Sequence, residues 1–296
     1  MLNKIMNFYY RKKMKFQFKK LSDVHLIKSY IELKQLIQNA DYNSIIVGSS
    51  HGECGIKAEI LTDENYRYLN CCTSSQDLYR SYELIKYIAQ IKQLKQVIMT
   101  YSLFNNSFAL EKTKQEIRIA YINDALFNIP MRKKIDKRDI NLISLIKKYA
   151  KTYTITKKRR NAFADMQFEW GGGEYFMNNI SAKERVATHM KNNKRNTEEN
   201  IYVEKAISYC KDNNINLIIV ITPVRSDFGA EANEYGDYKS HFKDIVDITG
   251  KNEIPLLFYD EKTMDDDDFG DYDHLAEQGA IKFSKILKDE ICKLSL

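Results

Sequence analysis

The sequence predicts an α/β protein built on a doubly wound parallel sheet of about five strands. Three observations carry that expectation. Five short apolar, β-branched runs are separated by stretches of helical periodicity, and parallel neighbours need such crossover connections. Each run gives way to polar residues at its C-terminal end, which is where open α/β sheets place their sites. The alternation lapses once, between about residues 106 and 197, which marks an insertion after the third strand.

The elements follow in order. From Val24 to Ile37 the residues Leu26, Ile27, Tyr30, Ile31, Leu33 and Ile37 recur at helical spacing, so a helix leads into the first strand, Ile45 to Val47. The second strand is Tyr66 to Leu69, followed by a polar turn from Asn70 to Asp77 in which Ser75 or Asp77 caps a helix running to about Ile91. Gln96 to Thr100 is the third strand and ends in Tyr101 to Asn106. Within the insertion, Leu142 to Tyr149 reads as helix and Trp170 to Gly173 as loop. The alternation resumes with a helix from Glu198 to Lys211, a strand from Leu217 to Ile221 closed by Thr222 and Pro223, a helix from Tyr238 to Ile248, and a strand from Leu256 to Tyr259. After an acidic loop, Asp265 to Asp268, a last helix runs from Ala276 to about Leu294. The expected organisation is a basic segment with its leading helix over 1–40, then an α/β domain over 41–296 carrying the insertion.

Composition narrows the function classes. With 44% hydrophobic and 29% charged residues over 296 positions, the chain is globular rather than disordered. No apolar run approaches the roughly 18 to 20 residues of a membrane span. The first twenty residues hold Lys4, Arg11, Lys12, Lys13, Lys15, Lys19 and Lys20 and no acid, yet lack the apolar core and cleavage site of a signal peptide. A cytoplasmic protein is expected, with Ile5, Met6, Phe8, Tyr9 and Tyr10 beside those lysines offering a weak peripheral contact with the inner membrane face. Five cysteines, two of them adjacent at Cys71 and Cys72, show no metal-ligand spacing and read as reduced thiols. The net charge of +6 gathers at the N-terminus, at Arg132 to Arg138 and at Lys157 to Arg160; solvated faces are expected there, and no aromatic-basic interleaving marks a nucleic-acid partner.

The rim residues carry the chemistry. A serine hydroxyl becomes a nucleophile when a base takes its proton and a third group orients that base. Ser50 follows the first strand, and Asp271 and His274 stand three residues apart just before the last helix, so Ser50 is assigned as nucleophile, His274 as base and Asp271 as orienter. Ser49 and Asp273 compete for the outer roles; adjacent side chains diverge, which favours Ser49 in the turn and Asp271 on the imidazole. His51 is expected to support the site or touch substrate, while His25, His189 and His241 read as surface or packing residues. The oxyanion donors expected beside the Ser50 N–H are Ser75 or Gln76, and Asn105. Arg225 faces either an anionic substrate group or a surface carboxylate, and the acidic loop at Asp265 to Asp268 matches no calcium loop, so no metal is expected.

With those residues in place the chain resembles the SGNH, or GDSL-like, hydrolase superfamily. Gly48-Ser49-Ser50 stands where that family has Gly-Asp-Ser, and Asp271-Tyr272-Asp273-His274-Leu275, followed by Gly279-Ala280, resembles its Asp-x-x-His block. The nearer likeness is to the Gly-Ser-Ser branch, which includes proteins of cell-envelope and capsular-polysaccharide acyl modification. The glycine of the family's second block and the Gly-x-Asn-Asp of its third are replaced by Asn70 to Gln76 and Tyr101 to Asn105. The resemblance implies a three-layer α/β/α, flavodoxin-like fold and a serine esterase or O-acyltransferase acting on an acylated sugar or polysaccharide precursor. It implies no cofactor for hydrolysis, and an acyl donor such as acetyl-CoA for transfer. The alternative is an inactive member that binds polysaccharide or a partner.

Overall fold

The computed structural model describes residues 21–113, 116–153, 180–192 and 197–294, with Ile5, Phe8, Tyr9 and Lys12 as isolated positions. Trp170 to Gly173, Lys157 to Arg160, the His25 side chain and most of the basic N-terminus lie outside the described residues. In chain order the elements are α1 (Leu21–Asn39), β1 (Ser44–Val47), α2 (Ser50–Gly55), α3 (Ala58–Leu61), β2 (Tyr68–Asn70), α4 (Leu78–Ala89), β3 (Gln96–Tyr101), α5 (Ile117–Phe127), α6 (Lys137–Thr152), α7 (Ala182–Asn192), α8 (Ile201–Asp212), β4 (Asn216–Ile221), α9 (Ser226–Asn233), α10 (Lys243–Asn252), β5 (Leu256–Phe258) and α11 (Glu277–Leu294). Among the described residues no helix is long and apolar enough to cross a membrane.

The five strands form one sheet in the order β2-β1-β3-β4-β5, and every pairing is parallel. This is the three-layer α/β/α arrangement of flavodoxin-like order, in which the strand order reverses between β1 and β3. The central strands are buried along nearly their whole length, as expected of parallel strands covered on both faces, which explains why they read as continuous apolar runs. Ile46 pairs with Ile98 and Asn70, and Met99 with Ile219, so the strands end together on one rim. Phe283 and Leu287 of α11 close a core against Ile46, Ile98 and Val220.

The chain divides into two compact units, Met1–Ala40 with Leu110–Asp165, and Asp41–Ala109 with Met166–Leu296. The sequence division sets 1–40 apart from the insertion, whereas the structure joins the leading helix to the insertion's first part. In the first unit Ile27, Ile31 and Ile37 of α1, Ile122 and Phe127 of α5, and Ile146 and Tyr149 of α6 are buried, and the Tyr153 hydroxyl donates to Glu32. The insertion therefore has no strand among its described residues because its elements are α5, α6 and α7. Asp77, rather than Ser75, caps α4, accepting from the Arg80 N–H at 2.8 Å. In the same unit as the sheet, all of Cys54, Cys71, Cys72, Cys210 and Cys292 are free thiols.

Two glycines set the geometry at the end of β1. Gly48 has φ +146°, and a Cβ there would sit 1.9 Å from Thr100 Oγ1 on β3. Gly52 is as constrained: its Cβ would meet Cys72 Sγ at 2.6 Å and Thr100 Cγ2 at 2.8 Å. Only glycine lets the chain leave β1 sharply and press the first turn of α2 onto the sheet.

Candidate active site

The turn at Gly48 hands the chain to Ser49, which is extended at φ −84°, and α2 starts at Ser50. Ser50 therefore sits at the C-terminal end of β1, on the switch point between β1 and β3, where such sheets place ligands. The opposite wall is the loop before α11. An antiparallel bridge between Phe269 and Leu275 and a hydrogen bond from the Gly270 N–H to the His274 carbonyl fold it into a tight turn. Inside that turn Asp271 Oδ1 accepts the backbone N–H of Asp273 at 3.0 Å and of His274 at 2.7 Å. A carboxylate held by its own turn presents a fixed face to the imidazole three residues further on.

The structure brings Ser50, His274 and Asp271 together. Asp271 lies 2.8 and 3.0 Å from His274 Nδ1, and His274 Nε2 lies 2.8 Å from Ser50 Oγ. With Asp271 accepting at Nδ1–H, the Nε2 lone pair faces the serine hydroxyl. Asp271 and His274 are buried and Ser50 is partly exposed, so the hydroxyl is the part of the array that solvent and substrate can reach. Burial works against the His274 cation, but the Asp273 charge and the Asp271 hydrogen bond outweigh it and raise its pKa above the ordinary imidazole value.

A second Ser–His–Asp array lies against the first. His51 Nε2 is 2.9 Å from Asp273 Oδ2, and His51 Nδ1 is 2.7 Å from Ser102 Oγ and 3.2 Å from Ser49 Oγ. The His51 and His274 rings stack with centroids 4.8 Å apart and planes 10° from parallel. Burial pushes His51 down to about 4 despite Asp273, so it stays neutral near pH 7. Unlike Ser50, Ser102 is buried, and the cavity beside it, His51 and His189 measures only about 10 Å³.

These facts correct several sequence expectations. Of the two roles expected of His51, the structure shows the supporting one: it is buried and tied to Asp273. Of the two readings of His189, packing holds, since Phe104 and Phe228 meet its buried ring edge to face; what was not foreseen is its Nε2 lying 3.1 Å from Asp273 Oδ2. Gln76 is withdrawn as an oxyanion donor, because its carbonyl accepts from Thr73 and its amide donates to Ser81. Ser75 turns the chain at φ 58°. The Asn105 side-chain carbonyl accepts the Ser102 N–H, and its Nδ2 has no partner among the described residues. Arg225 pairs with Asp227 at 2.8 Å and lies over the Tyr272 ring, which answers the choice in favour of the surface carboxylate. In the acidic loop, Lys282 bridges Asp265 at 2.7 Å and Asp268 at 2.8 Å.

Three contributors escaped the sequence. Arg185 of α7 clamps Asp273 through Nε at 2.9 Å and Nη2 at 3.0 Å. Its spacing to His189, one helical turn, was the available signal, but nothing in the sequence tied that helix to the rim. Glu53 of α2 accepts from Ser74 at 3.1 Å, and burial pushes its carboxyl up to about 7 although that bond opposes the shift. Ser102 lies on the rim the sheet rule marked and carries no motif. His51, Asp273 and His274 have the composition of a metal site, with ligand atoms within 4.8 Å of one another. Arg185 already neutralises Asp273, and a dication there would face that guanidinium.

Fold and site together define a doubly wound α/β protein with a Ser–His–Asp arrangement at the switch point of its sheet. The chain belongs to the family whose model matches residues 149–296, half of its length, a family that carries no functional description. That span includes α7 and the Asp271 to His274 turn but not Ser50. No curated protein matches the chain.

Proposed function

We propose that this protein is a serine ester hydrolase or O-acyltransferase that works through an acyl-enzyme on Ser50, with an acylated sugar or polysaccharide precursor as its substrate class. The observation that carries the reading is the line of contacts from Asp271 through His274 to Ser50, 2.8 Å at each end. Ser50 Oγ attacks the acyl carbonyl while His274 Nε2 takes its proton. The tetrahedral oxyanion is met by the Ser50 N–H at the free end of α2 and by Asn105 Nδ2. His274 returns the proton to the leaving alkoxide, and the acyl group then passes to water or to a sugar hydroxyl as His274 deprotonates that acceptor.

Turnover of p-nitrophenyl acetate and of O-acetylated oligosaccharides tests this reading, with acetate release and transfer to an added sugar measured separately. Ser50→Ala and His274→Ala each lower kcat/KM by about 10⁴-fold or more if the array is catalytic. Rates unchanged by both substitutions reject it and favour a binding protein that retains the fold. Acetylated sugar appearing in place of free acetate identifies transfer.

A further inference from the structure

The second array does no chemistry of its own, yet every member is buried and bonded. Asp273 is its hub. Arg185 Nε and Nη2 grip both carboxylate oxygens, His51 Nε2 and His189 Nε2 point at Oδ2, and His274 Nδ1 lies 3.4 Å from Oδ1. Since Arg185 supplies the counter-charge, the two histidines on Asp273 need only donate N–H and remain neutral. On the far side of His51, the hydroxyls of Ser102 and Ser49 face Nδ1, so the ring is fixed from both ends in the Nε2–H form. His274 has the opposite form, with its proton on Nδ1. Ser102 also donates its backbone N–H to the side-chain carbonyl of Asn105, so the chain of contacts runs from Arg185 through Asp273, His51 and Ser102 to Asn105.

We propose that Arg185 and Asp273 are positioning residues for this site: they lock His51 as a neutral ring stacked flat on His274, which keeps His274 on the line between Asp271 and Ser50 and leaves it the one member of the pair free to carry a proton. The inference rests on the acyl-enzyme reading for its kinetic consequence but not for its structural one. It gives α7, inside the insertion, a share in the site: without that helix Asp273 has no cation, and two imidazoles 4.8 Å apart compete for the same carboxylate. The charged and titratable groups facing His274 are Asp271 and Asp273 from its own loop, His51 and Glu53 from α2, and Arg185 and His189 from α7.

The test uses full-length protein labelled with ¹⁵N-histidine and compares Arg185→Gln, Arg185→Lys, Asp273→Asn and the charge-neutral double R185Q/D273N. In the wild type, imidazole spectra show His51 as Nε2–H and His274 as Nδ1–H. Asp273→Asn removes the leading support of the His274 cation, so its titration and the acid limb of kcat/KM both move to lower pH. Arg185→Gln removes a cation that opposes it, so both move to higher pH, and kcat falls by about 100-fold with little change in KM. Arg185→Lys restores the limb but not kcat, because an ammonium cannot reproduce the two-pronged grip. The double variant brings the limb back toward the wild-type position. A His274 titration and His51 tautomer unmoved in both Arg185→Gln and Asp273→Asn, with kcat falling only as the folded fraction falls, overturn the proposal. If the wild type turns over no ester, the acyl-enzyme reading fails, and the spectra alone decide whether Arg185 and Asp273 hold the two rings.

Discussion

Asp271→Asn separates the two carboxylates that flank His274. The asparagine carbonyl can still accept the Asp273 and His274 backbone N–H groups, now at 3.0 and 2.7 Å, so the turn survives. Its Nδ2 then faces His274 Nδ1 at the place where Asp271 Oδ2 stands, 2.8 Å away. A donor opposite Nδ1 forces the imidazole proton onto Nε2, and Ser50 meets an N–H instead of a lone pair. The equivalent change in a serine protease triad costs about 10⁴ in kcat, or about 5.4 kcal/mol of barrier at 1.36 kcal/mol per tenfold. The assay is kcat against p-nitrophenyl acetate, with thermal unfolding to show that the fold persists. Retention of kcat within tenfold refutes the assignment of Asp271, and a 10⁴-fold loss in Asp273→Asn instead would transfer the role to the carboxylate 3.4 Å from Nδ1.

Three further outcomes follow from the same geometry. Because His274 must be neutral to accept the Ser50 proton and its pKa is raised, kcat/KM falls on the acid side at a pH above the ordinary histidine value of about 6.5; a pH–rate profile with its limb below that value contradicts this. Gly48→Ala places a methyl where only 1.9 Å separates it from Thr100 Oγ1, at φ +146°, and destabilises the fold by on the order of 2–5 kcal/mol in urea unfolding. His51 is buried neutral with its pKa lowered to about 4, so the unfolded chain binds the extra proton as pH falls from about 6.5 toward 4 and stability drops across that window. The raised pKa of His274 works the other way, its stabilisation being lost as pH rises; His51→Gln should therefore reduce the acid-side loss measured by denaturant titration.

The sheet was legible because each strand carries a local signature. Ile45 to Val47, Val97 to Met99 and Leu217 to Ile221 are buried on both faces, and nothing polar interrupts them. The position of Ser50 at the end of β1 and the Asp271–His274 turn were legible for a similar reason, since Asp271 bonds within its own turn and the i, i+3 spacing needs no tertiary information. What the sequence did not disclose depends on contacts between distant segments. Arg185 lies 88 residues from Asp273, on a helix in a stretch that shows no strand-helix alternation. His51 adjoins Ser50 in sequence, but its side chain is the partner of a carboxylate 222 residues away. Gln76 stands at the right distance along the chain for an oxyanion donor, but Thr73 and Ser81 consume its amide, and a sequence cannot show where a side-chain amide is already bonded. The joining of α1 to α5 and α6 is likewise a matter of which apolar faces meet, and amphipathic helices do not specify their partner.

Labelling with a serine-directed fluorophosphonate, followed by peptide mapping, tests the central claim most directly. Ser50 is the one serine whose hydroxyl faces an imidazole lone pair backed by a carboxylate and is also partly exposed, among the described residues. The account predicts a single label at Ser50, slowed severely in His274→Ala and left unchanged by substitution of the exposed Cys292. A label at Ser49, Ser102 or any other serine, or no label on folded protein, would contradict it.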